Sequence, residues 1–203
     1  MMRRVLSLAA FSLVAIAATA TAQRTSRMPV ETGSSGHDGF TMSFGLGNGS
    51  AGVSCTGCAT DRNNGLSGYL SMGSAMSRSL VLGGELNGWS KSKNGSDSRI
   101  GFLTGYAQWY PSTSNGFFLK PGLGFGSISV EDKTTVPSNK LTSSGFAYQM
   151  GMGYDFRMSH NFSLTPYASY MATTSAKAKF NGTDAGYDLN TNNFQLGVGL
   201  TWH

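Results

Sequence analysis

From residue 146 to residue 158 the chain alternates without a break. Phe146, Tyr148, Met150, Met152, Tyr154, Phe156 and Met158 are large and apolar or aromatic, while Ala147, Gln149, Gly151, Gly153, Asp155 and Arg157 are small or polar. A period of two over thirteen residues is a strand with chemically opposite faces. Ordinary strands run about 5–6 residues. This one is long enough to cross a bilayer when tilted, which takes about 9–11.

Seven other segments carry the same period. They lie near 39–47 (Phe40, Met42, Phe44, Leu46), 65–74 (Leu66, Leu70, Met72), 79–90 (Leu80, Leu82, Leu86 against Glu85 and Asn87), 99–110, 117–130 (Phe117, Leu119, Leu123, Phe125), 162–174 (Phe162, Leu164, Ala168, Tyr170) and 190–202 (Phe194, Leu196, Val198, Leu200, Trp202). In the fourth, Ile100, Phe102 and Tyr106 oppose Leu103, Ala107 and Trp109, so its facing is ambiguous. Connections near 75–78, 111–116 and 159–161 are short. Those near 48–64, 91–98, 131–143 and 175–189 are long and polar, and all fall on the other end of the strands. Outer-membrane barrels have this asymmetry.

The polar face decides between a soluble sandwich and a membrane barrel. It carries mostly Gly, Ser and Ala, where a water-facing sheet carries Lys, Glu and Thr. An eight-stranded barrel has a lumen just wide enough for side chains, and small inner residues suit it. The bulky face then meets lipid, with Trp109, Tyr110, Phe117, Phe162 and Trp202 near strand ends as an interfacial girdle. The fold class expected is all-β, an eight-stranded antiparallel up-and-down transmembrane barrel. Pro121 and Pro166 fall inside strands, where a closed barrel offers no edge; a bulge or lost ladder bond is expected at each.

Composition agrees. Charged residues are 12% of 203, against about 25% in soluble domains. Apart from the N-terminus, no apolar run reaches the length of a spanning helix. Residues 1–22 have the pattern of a signal peptide: Arg3 and Arg4, an apolar stretch from Val5 to Ala18, and the small-residue site Ala20-Thr21-Ala22. Residues 23–38 form a polar lead-in, and 39–203 the barrel. Without Arg3 and Arg4, 13 basic side chains face 10 acidic ones, a net +3. No basic cluster with interleaved aromatics speaks for nucleic acid.

Cys55 and Cys58 are the two cysteines. A structural zinc wants four ligands and a second pair is absent. A thioredoxin-like site wants a βαβ setting. In an exported chain the favoured reading is a local disulfide closing a loop. Four charges, Glu85, Lys120, Asp155 and Arg157, fall on expected inner faces, and Lys120 and Asp155 lie on neighbouring strands. Charges in a narrow lumen must pair, as a static plug or as a gate that passes ions. The long connections hold Arg62, Lys91, Lys93, Lys133, Lys140, Lys177 and Lys179 among the acids Asp97, Glu131, Asp132, Asp184 and Asp188. They read as a solvated surface or as a contact for anionic lipid headgroups or an unknown surface ligand. No cofactor or metal is expected.

The stretches Gly153-Tyr154-Asp155-Phe156-Arg157 and Asn161 to Tyr167, with the final alternating strand, resemble the small outer-membrane β-barrel family of OmpX, the OmpA transmembrane domain and opacity-type surface proteins. The resemblance covers roughly 39–203. It implies a monomer in the outer membrane, in contact with its lipids and lipopolysaccharide. It also implies that Phe194, Leu196, Val198, Leu200 and Trp202 form a C-terminal signal read by the barrel-assembly machinery; here His203 follows Trp202. Family roles include adhesins, resistance factors and structural anchors. The expected function is a filled barrel acting structurally or through its long loops, the alternative a small channel, and a lipid-modifying enzyme the third, disfavoured by His37, His160 and His203 lying away from the outer rim.

Overall fold

Alternation this long leaves each strand with one face for lipid and one for a lumen, and a closed sheet satisfies both along with every backbone amide. The computed structural model describes residues 39–55, 62–93, 95–134, 139–159, 161–174 and 176–203. The strands are β1 (Phe40–Cys55), β2 (Arg62–Ser77), β3 (Leu80–Lys93), β4 (Ser96–Trp109), β5 (Phe117–Asp132), β6 (Asn139–Tyr154), β7 (Phe156–Ser159), β8 (Phe162–Thr173), β9 (Ala176–Phe180) and β10 (Thr183–Trp202). All pairings are antiparallel. β7 continues β6 and β9 continues β8, so eight wall strands run in chain order, and β10 closes on β1 from Met42↔Trp202 to Cys55↔Leu189.

The strands outrun the membrane. Sixteen residues of β5 make about 50 Å of strand, and tilt leaves about 40 Å along the normal against an apolar band about 25 Å tall. The excess lies at one end. The long polar connections expected near 48–64, 91–98, 131–143 and 175–189 are therefore largely strand: β3 runs on to Lys93 with β4 starting at Ser96, and β9 and β10 meet across Asn181 and Gly182. Asn181 and Gly182 both take positive φ, 49° and 87°, as a tight hairpin of primed type requires. Polar residues hold these extensions because each pairs with a ladder neighbour, a constraint that hydrophobic alternation does not report.

The outer face is apolar in rows. Leu70, Leu86, Leu103, Phe125 and Phe146 stand opposite one another on successive strands, and all are exposed. Phe125 and Phe146 stack edge-on with ring centroids 6.3 Å apart. Trp109, Phe117 and Trp202 face outward at the end that carries Phe40 and His203. Tyr110 departs from the expected girdle: it is 2% exposed and turned inward. β4 puts Ile100, Phe102 and Tyr106 inside and Leu103 and Trp109 outside.

The inner glycines seat inward aromatic rings. A Cβ on Gly49 would lie 2.6 Å from Trp89, one on Gly126 2.8 Å from Phe102, and one on Gly45 2.9 Å from Tyr167 and nearer still to Tyr69. Gly45→Ala is therefore expected to cost about 1–3 kcal/mol by overpacking. Outward Gly88 has nothing within 4 Å of its Cβ position, and Gly88→Ala should be neutral or stabilising by up to about 1 kcal/mol. Urea unfolding in lipid vesicles compares the two.

Both prolines interrupt a ladder on one side without changing register. Pro121 keeps its pairing with Met150, but the β4–β5 ladder skips from Tyr106↔Gly122 to Trp109↔Leu119. Pro166 keeps Val198, while pairing on its other side passes from Gly153↔Tyr167 to Phe156↔Leu164. The missing N–H is accommodated by two lost pairs, not by a bulge.

Candidate functional site: a filled lumen and a raised rim

Inward parity brings Glu85 from β3, Thr104 from β4, Lys120 from β5, Gln149 from β6 and Gln195 from β10 to one level. Lys120 Nζ donates to Glu85 Oε2 at 2.5 Å. Gln149 Nε2 donates to Glu85 Oε1 at 3.0 Å, and Thr104 Oγ1 donates to Gln149 Oε1 at 2.6 Å. Asn87 Nδ2 reaches Glu85 Oε1 at 3.4 Å, and Gln195 Nε2 donates to Asn87 Oδ1 at 2.5 Å. Glu85 is 1% and Lys120 6% exposed. The Lys120 ammonium also lies 4.6 Å from the Tyr69 ring centre and 5.3 Å from that of Tyr106, where ring faces attract a cation. Both carboxylate oxygens and the ammonium thus have partners, as buried charges require.

Apolar layers close this belt on both sides. Towards the raised end lie Trp89, Ile100, Phe102, Ile128 and Met171. Towards the other end lie Val81, Tyr106, Tyr110 and Phe118. Beneath them Asp155 accepts from Tyr110 Oη at 2.7 Å and from Thr165 Oγ1 at 2.5 Å.

Of the four charges singled out in the sequence, three are buried in the lumen and Arg157 is not. Arg157 is exposed, next to a register irregularity between Arg157 and Ser159. Its parity points inward, but it lies below the filled lumen, where water solvates the guanidinium. Lys120 of β5 pairs with Glu85 of β3 rather than with Asp155, whose oxygens accept from Tyr110 and Thr165. Thr104, Gln149, Asn87, Gln195, Tyr69 and Tyr106 complete the arrangement. Their only signal in the sequence is inward parity near the level of a charge.

Phe194, Leu196, Val198, Leu200 and Trp202 share the outward face of β10, with Trp202 between Met42 and Phe162. His203 is no loose end: its amide donates to Asn161 O at 3.1 Å and its ring Nε2 bonds Ser163 Oγ at 2.9 Å. The expected Cys55–Cys58 disulfide lies outside the described residues, apart from the Cys55 backbone in β1. His37, His160, the signal peptide and the lead-in lie outside them too.

The raised rim is held by polar contacts. Lys133 Nζ meets Asp97 Oδ2 at 2.6 Å and Ser92 Oγ donates to Asp97 Oδ1 at 2.5 Å. The Lys133 bond, then the Ser92 bond, hold the Asp97 carboxyl below the usual carboxylate range. Arg62 bonds Asn192 Oδ1 and Ser50, and Lys91 bonds Asn63. Among the described residues no group of His, Cys, Asp and Glu could hold a metal ion.

A closed eight-strand wall with an apolar exterior and a packed polar lumen defines an outer-membrane type of β-barrel protein. The chain belongs to the outer membrane protein beta-barrel domain family, whose model matches residues 6–201. A comparison with curated proteins finds no match. Ail, the attachment invasion locus protein of Yersinia pestis, is similar in structure with a TM-score of 0.59 at 17% identity, over 81% of this chain and 99% of Ail. Neisserial surface protein A gives 0.61 at 15% identity, over 82% of this chain and 98% of that one. Ail has also been solved in complex with a heparin analogue, sucrose octasulfate. At these identities the likeness carries the fold.

Proposed function

We propose that this protein is a surface barrel of the outer membrane: a static transmembrane anchor that presents the raised strand extensions to the outside. The observation that carries this reading is the lumen, where a fully partnered Glu85–Lys120 belt sits between two apolar layers. An ion on that path would have to break a buried charge pair and displace packed rings. The polar rim, with lysines on several hairpins, then supplies the contacts. The complex of Ail with a heparin analogue supports an anionic class of ligand. Export through residues 1–22 and assembly through the outward face of β10 belong to the same proposal, as does a monomeric state without catalytic activity.

Planar-bilayer recording tests it. Wild type is expected to show no stepwise conductance, and Lys120→Met none either, because the apolar layers remain. Steady conductance in wild type that changes with Lys120→Met would favour the channel. Charge reversal at Lys91, Lys93 and Lys133 is expected to weaken binding to a heparin surface; unchanged binding would remove the anionic ligand. Incubation with lipopolysaccharide and mass spectrometry of the lipid tests for hydrolysis.

A further inference from the structure

The wall strand made of β8 and β9 gains one residue on its neighbour at the upper edge of the apolar band. Ala147 pairs with Thr173, and Thr142 with Lys179. Between those pairs β6 advances five residues and its partner six. Such an insertion reverses which side chains face the lumen. Below it the odd positions Ser169 and Met171 are buried inside; above it the even position Ala178 is buried and Lys177 and Lys179 are exposed. In unbroken alternation both lysines would point into the lumen. The insertion instead puts them on the outer wall, beside Lys140 and Thr142 of β6.

A cleft of about 620 Å³ opens there. Lys140, Lys177 and Lys179 line it together with Thr142 and Ser144, and Phe146 stands at its lower side. Phe146 is 45% exposed and is the last outward apolar side chain of β6 towards the raised end, where the row that starts at Leu70 has climbed across the tilted strands. The cleft therefore straddles the boundary between acyl chains and headgroups. Two acids temper its charge: Asp184 lies 3.6 Å from Lys177, and Glu131 stands opposite Lys140. Lys140 and Lys179 line it from different strands beside the hydroxyls of Thr142 and Ser144, a set that suits phosphate oxygens.

We infer that this cleft binds the phosphorylated headgroup of an outer-leaflet glycolipid, with the phosphate between Lys140 and Lys179 and an acyl chain against Phe146. The inference rests on the surface-barrel reading, which sets the raised end outside. A free sugar phosphate would satisfy the lysines but leave Phe146 unused, so the lipid is the occupant.

The test is native mass spectrometry and competition binding of the detergent-solubilised barrel. The probes are phosphorylated lipid A, its dephosphorylated form and a soluble glucosamine phosphate. Wild type is expected to prefer phosphorylated over dephosphorylated lipid A by about tenfold or more. Lys140→Ser/Lys179→Ser should abolish that preference while Arg62→Ser/Arg99→Ser, at exposed cations elsewhere on the rim, retains it. Heat-modifiable gel migration checks that each variant is folded. Equal binding of the two lipids by wild type would overturn the site, as would equal losses in the two double variants. Soluble glucosamine phosphate competing as well as the lipid would overturn the lipid assignment. Failure here with a non-conducting barrel would leave the surface-barrel reading standing; conductance in wild type would remove the static anchor but not the outward orientation of the raised end, on which the cleft rests.

Discussion

Lys120→Met will lower the unfolding free energy of the barrel by about 3–5 kcal/mol, because it strands a carboxylate. Glu85 is 1% exposed, and after the substitution only neutral amides, Gln149 and Asn87, face it. The contacts of the ammonium with the Tyr69 and Tyr106 rings are lost as well. Glu85→Gln/Lys120→Met should recover most of that loss, since replacing a whole buried pair is often near neutral. The carboxamide oxygen introduced by Glu85→Gln can still accept from Gln149 and Asn87. Urea titration of the barrel folded into lipid vesicles measures both variants. A double variant as unstable as the single one would show that the pair is not what Lys120 contributes. The comparison also bears on function. A network that loses several kcal/mol when one charge is removed is a poor candidate for a gate that must open repeatedly.

Much of the fold was legible because a membrane barrel writes its two environments into alternate residues. The strands could be counted from Phe40 to Trp202, and most could be faced by size alone. Size failed where the lumen needed filling. In β4 both faces are bulky, and the inner one, with Ile100, Phe102 and Tyr106, is as apolar as the outer. Tyr110 followed it inward. The glycines hold the missing information: Gly45, Gly49 and Gly126 are the seats of rings on other strands, a complementarity between distant residues that no single strand displays. The strand extensions escape the alternation for a related reason. Polar ladders such as β9 and the upper half of β10 are held by partners rather than by a hydrophobic face. Parity marks the charges and takes in Arg157 with them, because parity says which way a side chain points but not where the lumen stops. The turn of Lys177 and Lys179 to the outer wall depends on one inserted residue, and the alternation is too weak there to reveal it.

Leu103→Arg will cost about 2–4 kcal/mol, the expected penalty for a cationic side chain on the lipid face near the middle of the bilayer. Leu103 lies in the outward apolar row between Leu86 and Phe125 and is 56% exposed. That exposure means contact with lipid, so an arginine there has no lumen partner and must reach for the interface. Ser127 faces the same way one row nearer the raised end, opposite Gly101. Ser127→Arg should cost no more than about 1 kcal/mol, since the penalty falls towards the interface. The neighbouring position should respond differently: Phe102 is 2% exposed in the upper packed layer, and Phe102→Ala is expected to lose about 3–5 kcal/mol from the cavity it leaves. Leu103→Ala, by contrast, leaves no cavity, because lipid fills the space. Unfolding measured in vesicles for Leu103→Arg, Leu103→Ala and Phe102→Ala decides the facing of the one strand whose sequence is apolar on both sides. If Leu103→Ala proves as costly as Phe102→Ala and Leu103→Arg is tolerated, β4 is turned the other way, and the layer over the charge belt would have to be built from different side chains.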